Sequence, residues 1–388
     1  MFCFTQKKRK MKQRWMKYGV GLDMGKDQIH ACVGGWNVEE GFKVIAQRRF
    51  TNTPKGWSDL TLWVDKQVKD KQIPLRIVME VTGVYHEGVL HYLHDKGYGV
   101  CLELSKRTKK YLESIGHKSK NDKLDGQGLC RMACEREGRL WKPASKHILV
   151  IRGLLRHRKS LIDNKVQLTN QLHALTHGAL KQPLIKRSVQ QLIKQLDKQI
   201  KMVEQELEKM VKQDEALAER VEKIVDSVKG LGLISVLTAV AETNGFQDFS
   251  SIKQLTSYAG YDIVENTSGK FKGKTRISKQ GNAHLRSAMY MPALAVIRSK
   301  VEPFYSFYIR LLKRNGALKK KAGVAVQRKI LILIYTLWKN NCRFDEKHHL
   351  ILAQKLKTQH FFKTSSSDLT PELHEIDHSQ REPLLTGS

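Results

Sequence analysis

The sequence predicts an α/β domain over residues 17–145, then two long helices folded back as a hairpin, then a mainly helical C-terminal region. Three observations carry this. Strand-like runs come first and then alternate with helix-like runs, the order expected of a sheet covered by helices. Leu154, Leu161, Leu168 and Leu175 recur at a heptad interval. Beyond them, Lys229-Gly230-Leu231-Gly232 opens a series of short apolar segments that ends with Ala325–Trp338.

In the first domain, Tyr18–Leu22, Ile29–Val33 and Lys43–Phe50 read as strands separated by Gly and Asn. Thr53-Pro54-Lys55-Gly56 starts a helix to about Val68, with Trp57, Leu60, Leu62, Trp63 and Val64 available for its buried side. Leu75–Val81 and Val100–Leu104 are strands, separated by a helix over Tyr85–Lys96 that Gly97 ends. Helices over Lys106–Ile115 and about Asp122–Glu137 close the domain. The hairpin spans residues 146–228. Pro183 interrupts the leucine heptads, and Ile193, Leu196, Ile200, Val203, Leu207 and Met210 resume the apolar stripe, with Leu217, Val221 and Ile224 beyond. This spacing fits a coiled coil, used for packing within one chain or for subunit association. Residues 229–345 combine short helices, among them about Asn282–Arg298, with a Gly- and Lys-rich loop over Glu265–Lys274. Residues 1–16 read as a basic arm, and residues 346–388 as a disordered tail whose last 25 residues hold five acids and one base.

Charge sets the class of partner. The 388 residues carry 69 Lys+Arg against 38 Asp+Glu, a net charge of +31. Such an excess opposes compaction unless a polyanion neutralises it, and nucleic acid is the commonest polyanion. The basic residues run through apolar, patterned segments rather than only through tails, unlike a ribosomal-type or membrane-surface basic protein. Cys3, Cys32, Cys101, Cys130, Cys134 and Cys342 include no Cys-x-x-Cys pair, so zinc is not expected and reduced thiols are. No apolar run reaches the length of a membrane span, and the expected location is cytoplasmic.

Four acids stand where chemistry is expected. Asp23 ends the first strand in Gly21-Leu22-Asp23-Met24-Gly25, with glycines that permit close backbone approach. Glu80 ends another strand in Val78-Met79-Glu80-Val81-Thr82-Gly83, on an apolar platform where an acid needs a partner or a cation. Asp122 and Asp125 are three apart and share one helix face. Singly, such residues are caps or solvated faces. Together, two strand ends and one helix turn can bring four carboxylates to one point, where two divalent cations about 4 Å apart would activate a nucleophile and stabilise a leaving oxygen. Oxygen donors favour Mg²⁺, with Mn²⁺ as the alternative.

Two further segments suit phosphate. Gly230 and Gly232 precede an apolar helix, where backbone N–H groups are exposed at a helix N-terminus; the turn resembles a helix-hairpin-helix element, although Gly pairs also make plain tight turns. Glu265-Asn266-Thr267-Ser268-Gly269-Lys270 presents a serine in a flexible, basic setting, followed by Arg276, Ser278, Lys279 and Arg286, which could clamp phosphate oxygens. By composition alone, Ser268 reads as a turn residue.

These motifs, in this order, resemble the DEDD transposases of bacterial insertion sequences, the family numbered 110 with its 1111 branch, which includes the pilin-gene invertases. Gly21-Leu22-Asp23, Glu80-Val81-Thr82-Gly83-Val84-Tyr85 and Asn121-Asp122-Lys123-Leu124-Asp125 match its three acidic motifs. Tyr258-Ala259-Gly260, Ser268-Gly269, Arg276-Ile277-Ser278-Lys279-Gln280-Gly281-Asn282 and Leu285-Arg286 match its second conserved block. The chain departs from the family at Tyr261-Asp262-Ile263, where Leu-x-Pro is usual, at Asn121, where Thr is frequent, and at Gly126, where Ala is frequent. The resemblance implies a RuvC-like, ribonuclease-H-like fold for the first domain and a Mg²⁺ site on Asp23, Glu80, Asp122 and Asp125. It also implies Ser268 as the recombination nucleophile, joined to a 5′-phosphate; Ser278 is the rival, and its place before Lys279 and Gly281 reads as a helix cap or backbone contact. The implied partners are double-stranded DNA, a structured noncoding bridge-type RNA from the element, and further copies of the chain in a dimer or tetramer whose subunits share the chemistry.

Three other readings remain open from sequence. A RuvC-like junction nuclease would use water and leave Ser268 structural. An actin-like or sugar-kinase-like ATP-binding protein would account for Gly21-Leu22-Asp23-Met24-Gly25 as a phosphate loop, but it needs a second loop and a duplicated domain, and neither is visible. A decayed, non-catalytic protein would bind nucleic acid without cutting it.

Overall fold

The computed structural model describes residues 15–81, 83–116, 122–179, 182–265, 267–269, 271–273, 275–314, 316 and 318–346. The basic arm and the acidic tail read from the sequence lie almost wholly outside them. The chain divides after Pro143 into two compact units.

The N-terminal unit is a five-stranded sheet between helices. Its elements are β1 (Lys17–Met24), β2 (Gln28–Asn37), β3 (Gly41–Thr51), α1 (Pro54–Gln67), β4 (Leu75–Val81), α2 (Glu87–Asp95), β5 (Val100–Leu104), α3 (Ser105–Ser114) and α4 (Asp122–Glu135). The strand order is β3-β2-β1-β4-β5. The first three strands form an antiparallel meander, and β4 and β5 run parallel to β1. This order and mixture of directions fit the ribonuclease-H-like expectation. Side chains alternate across the sheet. Val20, Leu22, Met24, Ile29, Ala31, Ile77 and Met79 pack on one side with Leu60, Val64, Val89, Leu90 and Leu93 of α1 and α2. Val78 and Cys101 face the other side and pack with Tyr111, Leu129, Met132 and Ala133 of α3 and α4. Both faces of β1 are covered, which is why its sequence shows no clean polar alternation.

Element ends follow local chemistry. Thr53 caps α1 by accepting a hydrogen bond from the Gly56 amide at 3.3 Å, with Pro54 at the first turn. Helix α2 starts at Glu87 rather than Tyr85, because Gly83 takes a left-handed φ of 53° and the next residues form a turn.

The C-terminal unit is mainly helical. It comprises α5 (Lys146–His177), α6 (Pro183–Gln213), α7 (Glu215–Ser227), α8 (Leu233–Glu242), α9 (Ile252–Tyr258), strands β6 (Ile263–Val264), β7 (Thr267–Ser268), β8 (Phe271–Lys272) and β9 (Arg276–Ile277), then α10 (Ala283–Ala288), α11 (Tyr290–Arg298), α12 (Phe304–Arg314) and α13 (Lys319–Asn340). Helices α5 and α6 pair antiparallel, with ion pairs Arg158–Glu204 at 2.6 Å and Lys165–Asp197 at 2.5 Å. The apolar stripe expected to run on to Ile224 does not belong to one helix. Asp214 breaks it, accepting a hydrogen bond from the Leu217 amide at 3.0 Å as the N-cap of α7. Leu217, Val221 and Ile224 then share a core with Ile151 and Leu155 of α5, Val236 and Val240 of α8, and Ile330 and Ile334 of α13. The root of the helical pair is therefore built into the core of this unit.

Candidate active site

The register of the sheet lines up a row of polar residues at one end. Asp23 of β1 pairs with His30 of β2, and His30 pairs with Arg49 of β3. On the other side, Leu22 pairs with Met79, so Asp23 and Glu80 follow as neighbours on adjacent strands about 5 Å apart. Glu80 in turn pairs with Glu103 of β5. Alternation sends Asp23 and Glu80 to the face that carries α4, opposite Leu22, Met24 and Met79. Both acids are half-buried, as is Asp125 in the first turn of α4. Asp122 begins that helix, and its side chain lies outside the described residues.

Glycines bring α4 onto the sheet. A Cβ at Gly21 would stand 2.2 Å from both the Cys130 amide nitrogen and the Gly126 carbonyl oxygen; at Gly19 it would stand 2.6 Å from the Cys130 carbonyl oxygen. The helix backbone rests directly on β1, and the Cys130 thiol donates to the Gly19 carbonyl at 3.2 Å. Cys130 and Cys134 are buried packing residues here. At Gly126, where the family often has Ala, an added Cβ would meet the nearest atom, the His30 carbonyl oxygen, at an ordinary 3.6 Å, so the departure demands no rearrangement.

Sequence reading missed four contributors to this end of the sheet. The Asn52 side chain donates to the Gly25 carbonyl at 3.1 Å and the Tyr85 carbonyl at 2.9 Å, tying together the loops that follow Asp23 and Glu80, and accepts from the Trp57 indole at 2.8 Å. Glu103 is buried, and burial raises its pKa against the opposing pull of Arg107, 3.2 Å away, and Arg136. His30 and Arg49 extend the row on the other side, beside an open cavity of about 360 Å³ lined also by Cys32, Gln47 and Gly126. A strand-end acid like that of Glu80 is visible in Val100-Cys101-Leu102-Glu103, but only the register shows that the two pair.

The arrangement suits a hard cation through its oxygen donors and neighbouring strand ends. Among the described residues, which omit the Asp122 side chain, no three His, Cys, Asp or Glu side chains form a metal-holding group.

In the C-terminal unit, Ser268 is exposed on a short ribbon, paired with Phe271 across a turn at Gly269, whose φ is 54°. Arg276 is exposed on β9, opposite Val264. Ser278 is held by its backbone, donating to the Asp262 carbonyl at 2.7 Å, while its hydroxyl accepts from the Gln280 amide at 3.2 Å. The cap of α10 is Asn282 rather than Ser278. Lys279 is exposed at a left-handed φ of 54°, a strained setting for a residue with a Cβ. Arg286 donates to the carbonyls of Ala259 at 2.7 Å and Asn282 at 3.3 Å, which fastens the loop from inside. Gly232 is exposed as the N-cap of α8; Gly230, at φ 98°, lies close to α11, where an added Cβ would stand 3.0 Å from Ala295 Cβ. The structure thus gives Ser278 and Arg286 internal contacts, and leaves Ser268, Arg276, Lys279, Gly230 and Gly232 exposed, with Gly230 packed close to α11.

Behind this block lies a network that no local pattern announced. Glu242, whose side chain is 2% exposed, accepts from Arg156 of α5 at 2.7 and 2.8 Å and from the Asn282 amide group at 2.7 Å. Its backbone carbonyl accepts from the Tyr258 hydroxyl at 3.1 Å. Burial alone would raise the Glu242 pKa, but the Arg156 and Asn282 hydrogen bonds outweigh it, so the net shift is downward. A lowered folded-state pKa stabilises the fold above the ordinary carboxylate range, and that contribution fades as pH falls through the lowered value. Replacing Arg156 with Met should cost about 2–3 kcal/mol, below the ~3–5 kcal/mol typical of a fully buried pair, because the arginine is 49% exposed. Thermal unfolding at neutral pH and at pH 3 checks this: the difference between wild type and variant should shrink at the lower pH.

Comparison with known proteins agrees at both ends of the chain. A DEDD transposase model of the IS110 group matches residues 20–180, and a model described as the transposase IS116/IS110/IS902 family matches residues 222–309. The pilin gene-inverting protein of Moraxella bovis is 26% identical over 334 residues, covering 85% of this chain and 98% of its own. The transposase for insertion sequence element IS1111A of Coxiella burnetii is 25% identical over 364 residues, covering 85% and 92%. Among solved structures, Thermus thermophilus RuvC aligns with a TM-score of 0.24 and 13% identity, over 29% of this chain and 91% of its own. With matched segments that carry all four acids in one model and the Ser-Gly block in the other, the chain belongs to the IS110 family of transposases.

Proposed function

We propose that this transposase cuts and rejoins double-stranded DNA with a Mg²⁺-dependent site on Asp23, Glu80, Asp122 and Asp125 and with Ser268 as the nucleophile. The observation that carries the reading is the placement of Asp23 and Glu80 as neighbours on adjacent strands, on the face where α4 carries Asp125. A divalent ion bound there would supply charge neutralisation at the phosphate and the attacking and leaving oxygens. The protein's own part is to hold the carboxylates fixed, through the glycine contact of β1 with α4 and the Asn52 tie between loops.

In the strand-transfer step, the Ser268 hydroxyl oxygen forms a bond to phosphorus and the bond from phosphorus to the 3′ oxygen breaks. The serine proton is balanced by protonation of the departing 3′ oxygen. Attack by another 3′ hydroxyl reverses the step and frees the serine. Exposed Arg276 and Lys279 would contact the phosphate; Gly232, at the start of α8, would offer backbone N–H groups to a phosphate further along. Positive charge throughout the chain supports a second polyanion beside DNA, a structured bridge-type RNA that selects the sites. The α5–α6 pair, read as a coiled coil, would serve association into a dimer or tetramer. No described helix is long and apolar enough to cross a membrane.

Cleavage of end-labelled DNA spanning an element junction, with Mg²⁺ or with chelator, tests the acidic site. Wild type should cut only with metal, and Asp23→Asn should cut slower by about a thousandfold or more. Equal cutting by both proteins, or cutting in chelator, would remove the acidic site from the mechanism.

A further inference from the structure

The segment beyond residue 309 lies outside both family matches. Between Glu302 and Asp345 the chain carries ten Lys or Arg residues and no Asp or Glu. Three of the cations gather on one side of the α12–α13 pair. On α12, Phe307, Arg310 and Arg314 fall at spacings of three and four, hence on one face. From α13, the Lys329 ammonium stands 4.1 Å from the centre of the Phe307 ring, and the Arg310 guanidinium stands 5.5 Å from the same centre. Two cations therefore share one aromatic ring.

Among the described residues, Arg310, Arg314 and Lys329 have no carboxylate partner. The acids at the start of α12 are engaged locally: Glu302 accepts from the Ser306 hydroxyl at 2.7 Å, and Glu346 accepts from the Glu302 amide at 2.9 Å. Burial first, and Arg310 second, pull the Lys329 pKa below its ordinary value. Like charges held together without a counter-ion weaken a fold, and a polyanion seated on them removes the repulsion. Arg310 and Arg314 are exposed and able to meet such a partner, and Lys329 is half-exposed.

We propose that the α12–α13 face, built on Arg310, Arg314 and Lys329, is a docking surface for the phosphate backbone of duplex DNA. It holds the duplex by charge, without reading sequence, and stands apart from the Ser268 block in the chain. The inference rests on the reading of this protein as one that acts on DNA.

The test is fluorescence anisotropy of a labelled DNA duplex of arbitrary sequence, titrated with full-length protein across a salt series, and repeated with an RNA duplex of equal length. Each lost phosphate contact should reduce the slope of log affinity against log salt by about 1. Arg310→Gln combined with Lys329→Gln should therefore flatten the slope by about 2, and Arg314→Gln alone, on an exposed side chain, by about 1. Both variants should unfold cooperatively near the wild-type temperature. Wild-type slope and affinity in both variants would overturn the docking surface while leaving the recombinase reading intact. A loss confined to the RNA duplex would also overturn it, in favour of an RNA site. No duplex binding by the wild type would overturn both readings.

Discussion

Replacing Asp23 with Asn is expected to slow Mg²⁺-dependent strand cleavage by about a thousandfold or more, because metal charge neutralisation is worth several kcal/mol and each 1.36 kcal/mol is tenfold in rate. The substitution keeps the shape of the side chain and removes one anionic ligand. The protein should stay folded, since Val20, Leu22 and Met24 of the same strand pack on the opposite face. Asp23 is half-buried at the strand end, and asparagine fills the same space. Loss of activity should accordingly come with an unfolding temperature close to that of the wild type. Initial cleavage rates and thermal unfolding on the same preparation check both halves. A variant that cuts at the wild-type rate would place the chemistry elsewhere.

Gly21→Ala should damage the same site from behind, and should lower stability as well. The new methyl would stand 2.2 Å from two backbone atoms of α4, the Cys130 nitrogen and the Gly126 oxygen. Backbone in the middle of a packed helix cannot swing aside as a long side chain can. The helix must lift from β1, at an overpacking cost of about 1–3 kcal/mol, or about 5–10 °C in unfolding temperature for a unit of this size. Because α4 carries Asp122 and Asp125, a lift of even 1 Å should also cost on the order of a hundredfold in cleavage. Gly126→Ala is the control. Its methyl meets ordinary contact at 3.6 Å and favours the helix, so stability and activity should hold. Equal behaviour of the two variants would show that the close approach of α4 to β1 does not position the acids.

Much of this was legible in the sequence, and the remainder was hidden for identifiable reasons. Strands β1 to β5 announced themselves through β-branched runs between Gly and Asn, and Pro54 and Gly97 marked helix ends. The four acids stood out because each stands at or near the end of an element. The break at Asp214 was masked because the apolar spacing continues across it, from Leu207 and Val211 to Leu217 and Val221; only the Asp214–Leu217 hydrogen bond reveals the cap. Glu103, His30 and Arg49 join the acidic row through strand register, a long-range property that no local window contains. The same holds for Glu242, whose partners Arg156 and Asn282 lie 86 and 40 residues away. Ser268 has no local mark of chemistry at all: it is an exposed serine beside a turn glycine, and its proposed role comes from family resemblance.

Covalent trapping therefore tests the account most directly. Wild type and Ser268→Ala would be incubated with labelled DNA carrying the element junction, Mg²⁺ and RNA transcribed from the flanking region, then separated on a denaturing gel. The account predicts a protein–DNA band in the wild type that requires Mg²⁺ and vanishes in Ser268→Ala, although the variant, altered only at an exposed ribbon position, should still bind the DNA. Cleavage with no covalent band, unchanged in Ser268→Ala, would contradict it and identify water as the nucleophile.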